Sequence, residues 1–342
     1  MSTVEKLPFG RAINAGLRRA MERDDKVLLM GEDIGPLGGV FRITDGLIDT
    51  FGPDRVVDTP LAESGIVGTA IGLTYAGYRP VCEIQFDGFI FPAYDQITTQ
   101  LAKLHYRTAG THTAPVVIRV PYGGGIGAIE HHSESPEALF AHTAGLRVVT
   151  PSNPADAYVM IQQAIASPDP VLFFEPKARY WDRGEVPTGA SDADLGISER
   201  VTTPAGTAQL QSARILRAGT DLTIAAYGPT VRTALMVADV AAEEGTDIEV
   251  IDLRSISPID FETVTASVRK TGRLVVAHEA PVFFGAGAEI AARVSQECFY
   301  HLEAPVARVG GFHTPYPVSK VEEEYLPGLD RVLHAVEESM AY

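Results

Sequence analysis

The chain has 342 residues, of which 45% are hydrophobic and 21% charged, which is an ordinary globular composition with enough length for two domains. The formal net charge of −16 argues against binding to nucleic acid or to anionic membranes, because both are themselves negatively charged. Cys82 and Cys298 form no disulfide framework or zinc ligand set, and no apolar run is long enough to span a membrane. The charge fits an enzyme that acts on a small molecule, or one with a basic protein partner, and the lack of a signal sequence at the N-terminus predicts a cytoplasmic location.

Helical and strand patterns alternate through the first half of the chain. Amphipathic periodicity predicts helices, and short apolar runs predict buried strands. The predicted helices are 9–22, 66–73 and 94–106, and the predicted strands are 27–30, 55–57, 80–84, 115–120, 146–149 and 171–174. Strands that alternate with helices favour a parallel sheet covered on both faces.

Residues 181–211 are rich in Gly, Pro, Ser, Thr and Asp and lack periodicity, which predicts an interdomain linker. The alternation then restarts, with predicted strands at 222–227, 248–253, 273–277 and 305–309 and helices at 230–243, 261–270 and 286–299. The sequence therefore predicts an α/β fold with two parallel-sheet domains, residues 1–180 and 212–342.

An acidic residue stands where the predicted strand 55–57 gives way to the helix 66–73. Ligands of α/β proteins bind at the carboxyl ends of parallel strands. Glu63 is flanked by Leu61, Ile66 and Val67, so we expect it to be poorly solvated, with a raised pKa that suits proton sharing. A carboxylate that merely benefits from the helix dipole fits these residues equally well.

A glycine-rich segment, 123–127, follows the predicted strand 115–120. The dinucleotide-binding pattern would need a glycine at Glu130 and an acid near Thr150, and the sequence has neither. This argues against a Rossmann dehydrogenase, although glycines still allow the backbone to approach a ligand closely.

The segment 130–134 is the densest titratable cluster, with His131 and His132 adjacent. Neighbouring histidines on extended chain point to opposite sides, so a metal site is disfavoured and proton transfer by one imidazole is favoured. A surface histidine pair is the simpler alternative. No G-x-S-x-G elbow or activated cysteine supports nucleophilic catalysis.

An amide and several aromatic residues follow the predicted strand 80–84. Gln85 is followed by Phe86, Phe89 and Phe91. Core packing explains Phe86 and Phe91, whereas Phe89 could offer a stacking surface for a planar heterocycle.

Taken together, these segments resemble the beta subunits of the thiamine-diphosphate-dependent decarboxylase component of 2-oxo acid dehydrogenase complexes, over nearly the whole chain. The residues that carry the resemblance are 31–33 (GED), 38–42 (GGVFR), 58–63 (DTPLAE), 83–86 (EIQF), 92–97 (PAYDQI), 132–138 (HSESPEA) and 249–254 (EVIDLR).

The resemblance implies a pyrimidine-binding domain followed by a transketolase-type C-terminal domain, in an α2β2 heterotetramer with cofactor sites between subunits. It implies that Glu63 hydrogen-bonds the aminopyrimidine ring of thiamine diphosphate and favours its imino tautomer. It also implies that Phe89 stacks on that ring and that Gln85 and Leu61 line it. His132 matches a histidine that helps to transfer the acyl group to a lipoyl arm.

The same resemblance bears on two metal ions, potassium and magnesium. Some relatives hold potassium in the region of Ala164, Ser167 and Asp169, but Ser167 replaces their aspartate and Asp169 their asparagine. The Gly-Asp-Gly motif that holds magnesium and diphosphate in thiamine enzymes is absent here. The resemblance therefore implies that magnesium and the diphosphate are held mainly by an alpha subunit.

Substrate and further partners follow from the resemblance as well. The segments 83–86, 132–138 and 174–177 look most like branched-chain members, which predicts 3-methyl-2-oxobutanoate as the substrate, with pyruvate or acetoin dehydrogenase as alternatives. The acidic surface suits the basic subunit-binding domain of a lipoyl acyltransferase core. An assembly scaffold without catalysis is the alternative of another class, and Glu63, Phe89 and His132 together disfavour it.

Overall fold

A computed structural model describes residues 3–197 and 209–342. Its first half contains eight strands: β1 (Glu5–Pro8), β2 (Val27–Gly31), β3 (Val56–Asp58), β4 (Arg79–Glu83), β5 (Val117–Tyr122), β6 (Arg147–Val149), β7 (Val171–Pro176) and β8 (Arg183–Val186). Its helices are α1 (Phe9–Arg23), α2 (Leu47–Phe51), α3 (Glu63–Tyr75), α4 (Leu104–Arg107), α5 (Glu137–Ala141) and α6 (Pro154–Ala166).

The second half contains the strands β9 (Arg214–Arg217), β10 (Leu222–Ala226), β11 (Ile248–Asp252), β12 (Ser255–Ser257), β13 (Leu274–Pro281) and β14 (Ala307–Gly311). Its helices are α7 (Thr230–Glu243), α8 (Phe261–Thr271), α9 (Ala286–Glu297), α10 (Glu322–Tyr325) and α11 (Leu329–Met340). Among the described residues, no helix is long and apolar enough to cross a membrane.

Two sheets organise the chain. The first has the order β12-β6-β7-β5-β4-β2-β3 and is parallel except for β12. The second has the order β14-β13-β10-β11-β9 and is parallel except for β9. The predicted α/β fold with two mostly parallel sheets is therefore confirmed.

Apolar side chains on both faces of each sheet form the core, as parallel strands require. Helices α1 and α6 pack against each other and bury Leu17 and Ile161 on one face of the first sheet. The opposite face belongs to a cluster that includes Val67 of α3 and continues into Tyr227 and Ile251 of the second half. One continuous core therefore joins the two halves.

The structure differs from the predicted elements in a few places. The predicted helix 94–106 is broken into a π-helical turn at Gln96–Gln100, a 3₁₀ turn at Leu101–Lys103 and the short α4, after a 3₁₀ helix at Asp87–Ala93 that contains Pro92. Helices α6 and α11 and the short helices α2, α5 and α10 were not predicted. Within the predicted linker, β8 pairs with β1, and residues 198–208 of that linker lie outside the described part of the chain.

Candidate active site

The site is organised by three neighbouring parallel strands. Gly31 of β2 is in register with Asp58 of β3 and with Glu83 of β4. The residues that follow these strands therefore emerge at one edge of the sheet, the edge where α/β proteins bind ligands. This register brings Glu32, the start of α3 and Gln85 to the same place.

Glu63 is the first residue of α3, where unpaired backbone N–H groups and the helix dipole favour negative charge. Its side chain is buried, with 7% exposure. Ile66 and Val67 lie behind it in the core, as predicted, but Leu61 is 81% exposed. Leu61 therefore does not cover the carboxylate in the isolated chain, and its predicted contact with a cofactor stays a prediction.

Glu32 is a second acid at this edge, which the sequence reasoning did not single out. Burial raises the pKa of its carboxyl, and the negative charges of Glu63 and Asp33 raise it further, whereas the Ala62 N–H bond lowers it. One carboxylate oxygen of Glu32 is buried, and no described residue hydrogen-bonds to it. This acceptor beside Glu63 is available to a water molecule or to a ligand.

Gln85 joins the same edge from the end of β4. Its amide nitrogen donates to the Asp33 carboxylate at 3.1 Å and lies 3.4 Å from the Glu32 carbonyl oxygen. The structure thus brings Gln85 and Glu63 together around Glu32. The clue available in the sequence was position: Glu32 directly follows an apolar strand.

Phe89 and His132 belong to an aromatic cluster beside these acids. Phe89 lies in the 3₁₀ helix at Asp87–Ala93, which packs against α3. Its ring centroid is 5.2 Å from that of His132 in a T-shaped arrangement, and the Phe86 ring is 4.0 Å from the same imidazole. Core packing was the interpretation for Phe86 and Phe91, but Phe86 is half-buried and contacts His132, and Phe91 is 40% exposed.

His132 is suited to act as a neutral imidazole. Burial lowers its pKa, and the positive charges of His131 and Lys177 lower it further. Its Nδ1 atom is buried and finds no hydrogen-bond partner among the described residues. His131 is more exposed and lies 3.3 Å from the Glu130 carboxylate.

A buried ion pair lies next to the aromatic cluster. The Lys177 ammonium, which follows β7, is 2.9 Å from the Asp87 carboxylate, and both side chains are fully buried. The second Asp87 oxygen accepts the Glu134 N–H at 2.8 Å. Neither Asp87 nor Lys177 was predicted to belong to the site.

The glycine-rich segment 123–127 uses its N–H groups within the protein. Glu322 of α10 accepts from Gly125 at 3.0 Å and from Gly127 at 3.1 Å, and Glu279 of β13 accepts from Gly124. The N–H groups of this loop therefore bind the carboxyl groups of Glu279 and Glu322, which belong to the second half of the chain. This explains its glycines without a nucleotide.

The predicted potassium region already engages several of its oxygens. The Arg79 guanidinium donates to the Ile165 carbonyl at 3.0 Å, and the Asp169 carboxylate binds Arg147 and His105 at 2.7 Å each. A potassium ion would have to share these oxygens with positive side chains, so its presence stays a prediction. Among the described residues, no group of three or more His, Cys, Asp or Glu is arranged to hold a metal ion.

Comparison with known proteins agrees with this geometry. The family described as transketolase, pyrimidine binding domain matches residues 5–181, and transketolase, C-terminal domain matches residues 211–332. A solved structure titled "Split gene transketolase, inactive beta4 tetramer" has the same fold, with a TM-score of 0.76 at 23% identity over 98% of both chains.

Two relatives match nearly the whole chain. The pyruvate dehydrogenase E1 component subunit beta of Leifsonia xyli is 59% identical over 99% of this chain and 96% of that protein. The 3-methyl-2-oxobutanoate dehydrogenase subunit beta of Mycobacterium tuberculosis is 51% identical over 97% of this chain and 92% of that protein.

The fold and the site define a transketolase-type protein with a pyrimidine-binding half and a C-terminal half. Within that class, the chain belongs to the family of beta subunits of 2-oxo acid dehydrogenase E1 components. The family predicted from the sequence motifs is confirmed. The branched-chain subtype stays a prediction, because the relatives carry both pyruvate and branched-chain names.

Proposed function

We propose that this chain is the catalytic beta subunit of a 2-oxo acid dehydrogenase, active with an alpha subunit in an α2β2 heterotetramer. The reaction removes carbon dioxide from a 2-oxo acid and passes the remaining acyl group to a lipoyl disulfide, which is reduced. Thiamine diphosphate, when bound, supplies the carbon nucleophile for the decarboxylation. The observation that carries the proposal is that the paired acids Glu32 and Glu63 lie at the sheet edge from which the segment after β4 also emerges, and that Phe89 of this segment contacts His132.

The residues present fit an aminopyrimidine ring. The orphaned Glu32 oxygen and the Glu63 carboxylate at the start of α3 offer acceptors for ring and exocyclic N–H groups. The partly buried Phe89 provides an aromatic face beside them. Leu61 is exposed at the same edge, which suits a residue that becomes covered when cofactor and partner subunit bind.

Each residue has a distinct part in this proposal. Glu63 holds the ring nitrogen and shares its proton. Glu32, whose pKa is raised by burial and by the charge of Glu63, lies beside it as a second hydrogen-bonding carboxyl. Gln85 fixes Asp33 and the Glu32 backbone, and so orients the acidic pair. His132, neutral because of its lowered pKa, hydrogen-bonds the acyl-transfer partner through its ring nitrogens.

The proposed function requires two protein partners, an alpha subunit and a lipoyl acyltransferase core. The sequence has no Gly-Asp-Gly motif, so we expect the alpha subunit to hold magnesium and the diphosphate. The net charge of −16 suits a basic subunit-binding domain of a lipoyl acyltransferase core.

The proposed substrate is the branched-chain acid 3-methyl-2-oxobutanoate. Its support is the likeness of the segments 83–86, 132–138 and 174–177 to branched-chain members. Pyruvate is the second candidate, and the 59% identity to a protein named pyruvate dehydrogenase subunit favours it.

The test is decarboxylation by the co-expressed α2β2 enzyme with thiamine diphosphate, magnesium and an artificial electron acceptor. We expect turnover only when both subunits are present, and faster turnover on 3-methyl-2-oxobutanoate than on pyruvate. Glu63→Gln should lower the rate on the order of 100-fold or more, since it removes a proton-transfer group, while the heterotetramer remains intact. Near-normal turnover of an intact Glu63→Gln heterotetramer would refute the catalytic role, and faster turnover on pyruvate would overturn the substrate assignment.

A further inference from the structure

A fully buried aspartate joins the two segments that carry Phe89 and His132. Asp87 is the first residue of the 3₁₀ helix that contains Phe89, and its side chain has 0% exposure. One carboxylate oxygen contacts the Lys177 ammonium at 2.9 Å, and the other accepts the Glu134 N–H at 2.8 Å. Asp87 therefore links the ends of β4 and β7 to the backbone two residues beyond His132.

The residues on either side of Asp87 contact His131 and His132. A Cβ atom on Gly88 would lie 2.5 Å from the His131 carbonyl oxygen, so only glycine allows the two backbones to approach so closely. The rings of Phe86 and Phe89 contact the His132 imidazole. These contacts are apolar or steric, and the directional link between the two segments is the hydrogen bond that Asp87 accepts.

The Glu134 backbone is held on both sides. Its N–H donates to Asp87, and its carbonyl oxygen accepts the Gly123 N–H at 3.0 Å. Gly123 begins the loop that Glu279 and Glu322 hold from the second half of the chain. Loss of the Asp87 acceptor would remove the hydrogen bond from the Glu134 N–H and leave the hydrogen bond from the Gly123 N–H to the Glu134 carbonyl in place.

The burial of this charge pair is costly. Burial raises the pKa of Asp87, and burial lowers the pKa of Lys177, while their mutual attraction opposes both shifts. A buried ion pair contributes little net stability compared with an apolar pair of the same size. Stability alone therefore does not explain its presence, whereas a fixed orientation of the histidine segment does.

We propose that Asp87 is a positioning residue for acyl transfer, which holds His132 against Phe89 through the Glu134 N–H. The inference rests on the proposed function, in which His132 serves acyl transfer and Glu63 serves decarboxylation. Removal of the Asp87 acceptor should therefore impair the second half-reaction more than the first.

Two double variants separate positioning from charge. Asp87→Asn with Lys177→Met removes both charges but keeps a side-chain oxygen that can accept the Glu134 N–H. Asp87→Leu with Lys177→Met removes both charges and the acceptor, at similar volume. Each variant removes Asp87 and Lys177 together, so neither is left as a buried charge without the other, and the buried Glu279 carboxyl, which also faces Lys177, keeps Arg179 as a positive neighbour. Both variants are therefore expected to fold and to assemble with the alpha subunit.

Two activities of the α2β2 holoenzyme give the decisive comparison. Decarboxylation with an artificial acceptor, in which His132 has no part in the proposed function, should agree between the two variants within about threefold, with the same KM for the 2-oxo acid. Reductive acylation of a lipoyl domain should fall on the order of 10- to 100-fold in the leucine variant only, as displacement of a catalytic group by about 1 Å would cause. Equal acylation rates for the two variants, or a parallel fall of both activities in the leucine variant, would overturn the proposal.

Amide hydrogen exchange of the same holoenzymes provides a reading that does not depend on activity. The peptide that covers 129–136 should exchange faster in the leucine variant than in the asparagine variant, because only the latter retains the Glu134 hydrogen bond. Identical exchange in this peptide would count against a positioning role. If the unmodified enzyme turns over no 2-oxo acid, the proposed function fails, and the exchange comparison alone decides whether Asp87 positions His132.

Discussion

Replacement of Glu137 by glutamine should stabilise the protein in a strongly pH-dependent way. Glu137 is the first residue of α5 and is fully buried. Burial raises the pKa of its carboxyl from 4.5 to about 8, although the hydrogen bond from the Tyr227 hydroxyl at 2.7 Å partly opposes this shift. The carboxyl is therefore protonated in the folded protein at pH 7 but ionised in the unfolded chain.

The sign and size of the effect follow from this difference. A group whose pKa is raised on folding contributes stability that is fully present below its unfolded pKa and is lost as the pH rises through its folded pKa. Between 4.5 and about 8, at about 1.4 kcal/mol per unit, the loss reaches about 5 kcal/mol, and at pH 7 it is about 3 kcal/mol. Glutamine does not ionise, and its carbonyl oxygen can still accept from Tyr227, so it avoids this loss.

The measurement is the apparent melting temperature of the α2β2 enzyme and its Glu137→Gln variant from pH 4.5 to pH 9. We expect no difference near pH 4.5, a higher Tm for the variant on the order of 5 °C at pH 7, and a larger difference at pH 9. Asp169→Asn is the control of opposite sign. Despite partial burial, the hydrogen bonds from Arg147 and His105 lower the pKa of Asp169 from 3.8, so this variant should lose stability throughout pH 4.5 to 9, and its deficit should shrink only as the pH falls below 3.8. A Tm difference for Glu137→Gln that does not change with pH would refute the reasoning.

Three further predictions concern the site and its support. Phe89→Ala should weaken thiamine diphosphate binding by about tenfold through loss of the stacking face, whereas Phe89→Tyr should not, and calorimetric titration of the α2β2 apoenzyme checks this. Gly88→Ala should lower reductive acylation on the order of tenfold or more, since the new Cβ would lie 2.5 Å from the His131 carbonyl oxygen; an unchanged acylation rate would contradict the close approach. Arg119→Ala removes the cation that binds the buried Glu175 carboxylate at 2.6 Å and should cost about 3–5 kcal/mol, which urea denaturation would show as a lower midpoint.

Most elements could be predicted because their patterns are local. The apolar run at 248–253 and the periodic stretch at 230–243 became β11 and α7 at almost the predicted bounds. The segment 94–106 has a helical pattern too, but the backbone enters it from a 3₁₀ helix that contains Pro92, and the turns that follow are π-helical and 3₁₀. Periodicity predicts which face is buried, and it does not distinguish 3.6 residues per turn from neighbouring values over so short a stretch.

Among the helices that the sequence did not predict, the two longest were missed for different reasons. In α6, ten of 13 residues are buried, and they include the polar residues Gln162 and Gln163. The alternation of apolar and polar residues that marks an amphipathic helix is therefore irregular here. Asn153 caps this helix by accepting the Asp156 N–H, and Pro154 occupies its first turn, which is a start signal that could have been recognised. In α11 the sequence signal was present, because Val332, Leu333 and Val336 recur at helical spacing on the face that packs against α7, and the prediction overlooked it.

The site shows the same division between local and distant information. Glu63 could be inferred because a strand, a turn and a helix follow one another along the chain. Asp87 and Lys177 are 90 positions apart, and their pairing depends on β4 and β7 both lying beside β5 in the sheet. A single sequence gives no signal for such a contact. The sequence indicated a site position for Glu32 only in part, because Glu32 directly follows the apolar strand β2. Its closeness to Glu63 depends on the pairing of β2 with β3.

Strand β12 makes the two halves of the chain structurally interdependent. Although it lies among the elements of the second half, Ser255 and Ser257 pair with Val149 and Val148 at the outer edge of the first sheet. A fragment that ended within the predicted linker would leave β6 with unpaired backbone N–H and C=O groups, the kind of edge that recruits strands from other chains. The second half therefore supplies the strand that covers this edge of the pyrimidine-binding half, so the two halves share one sheet.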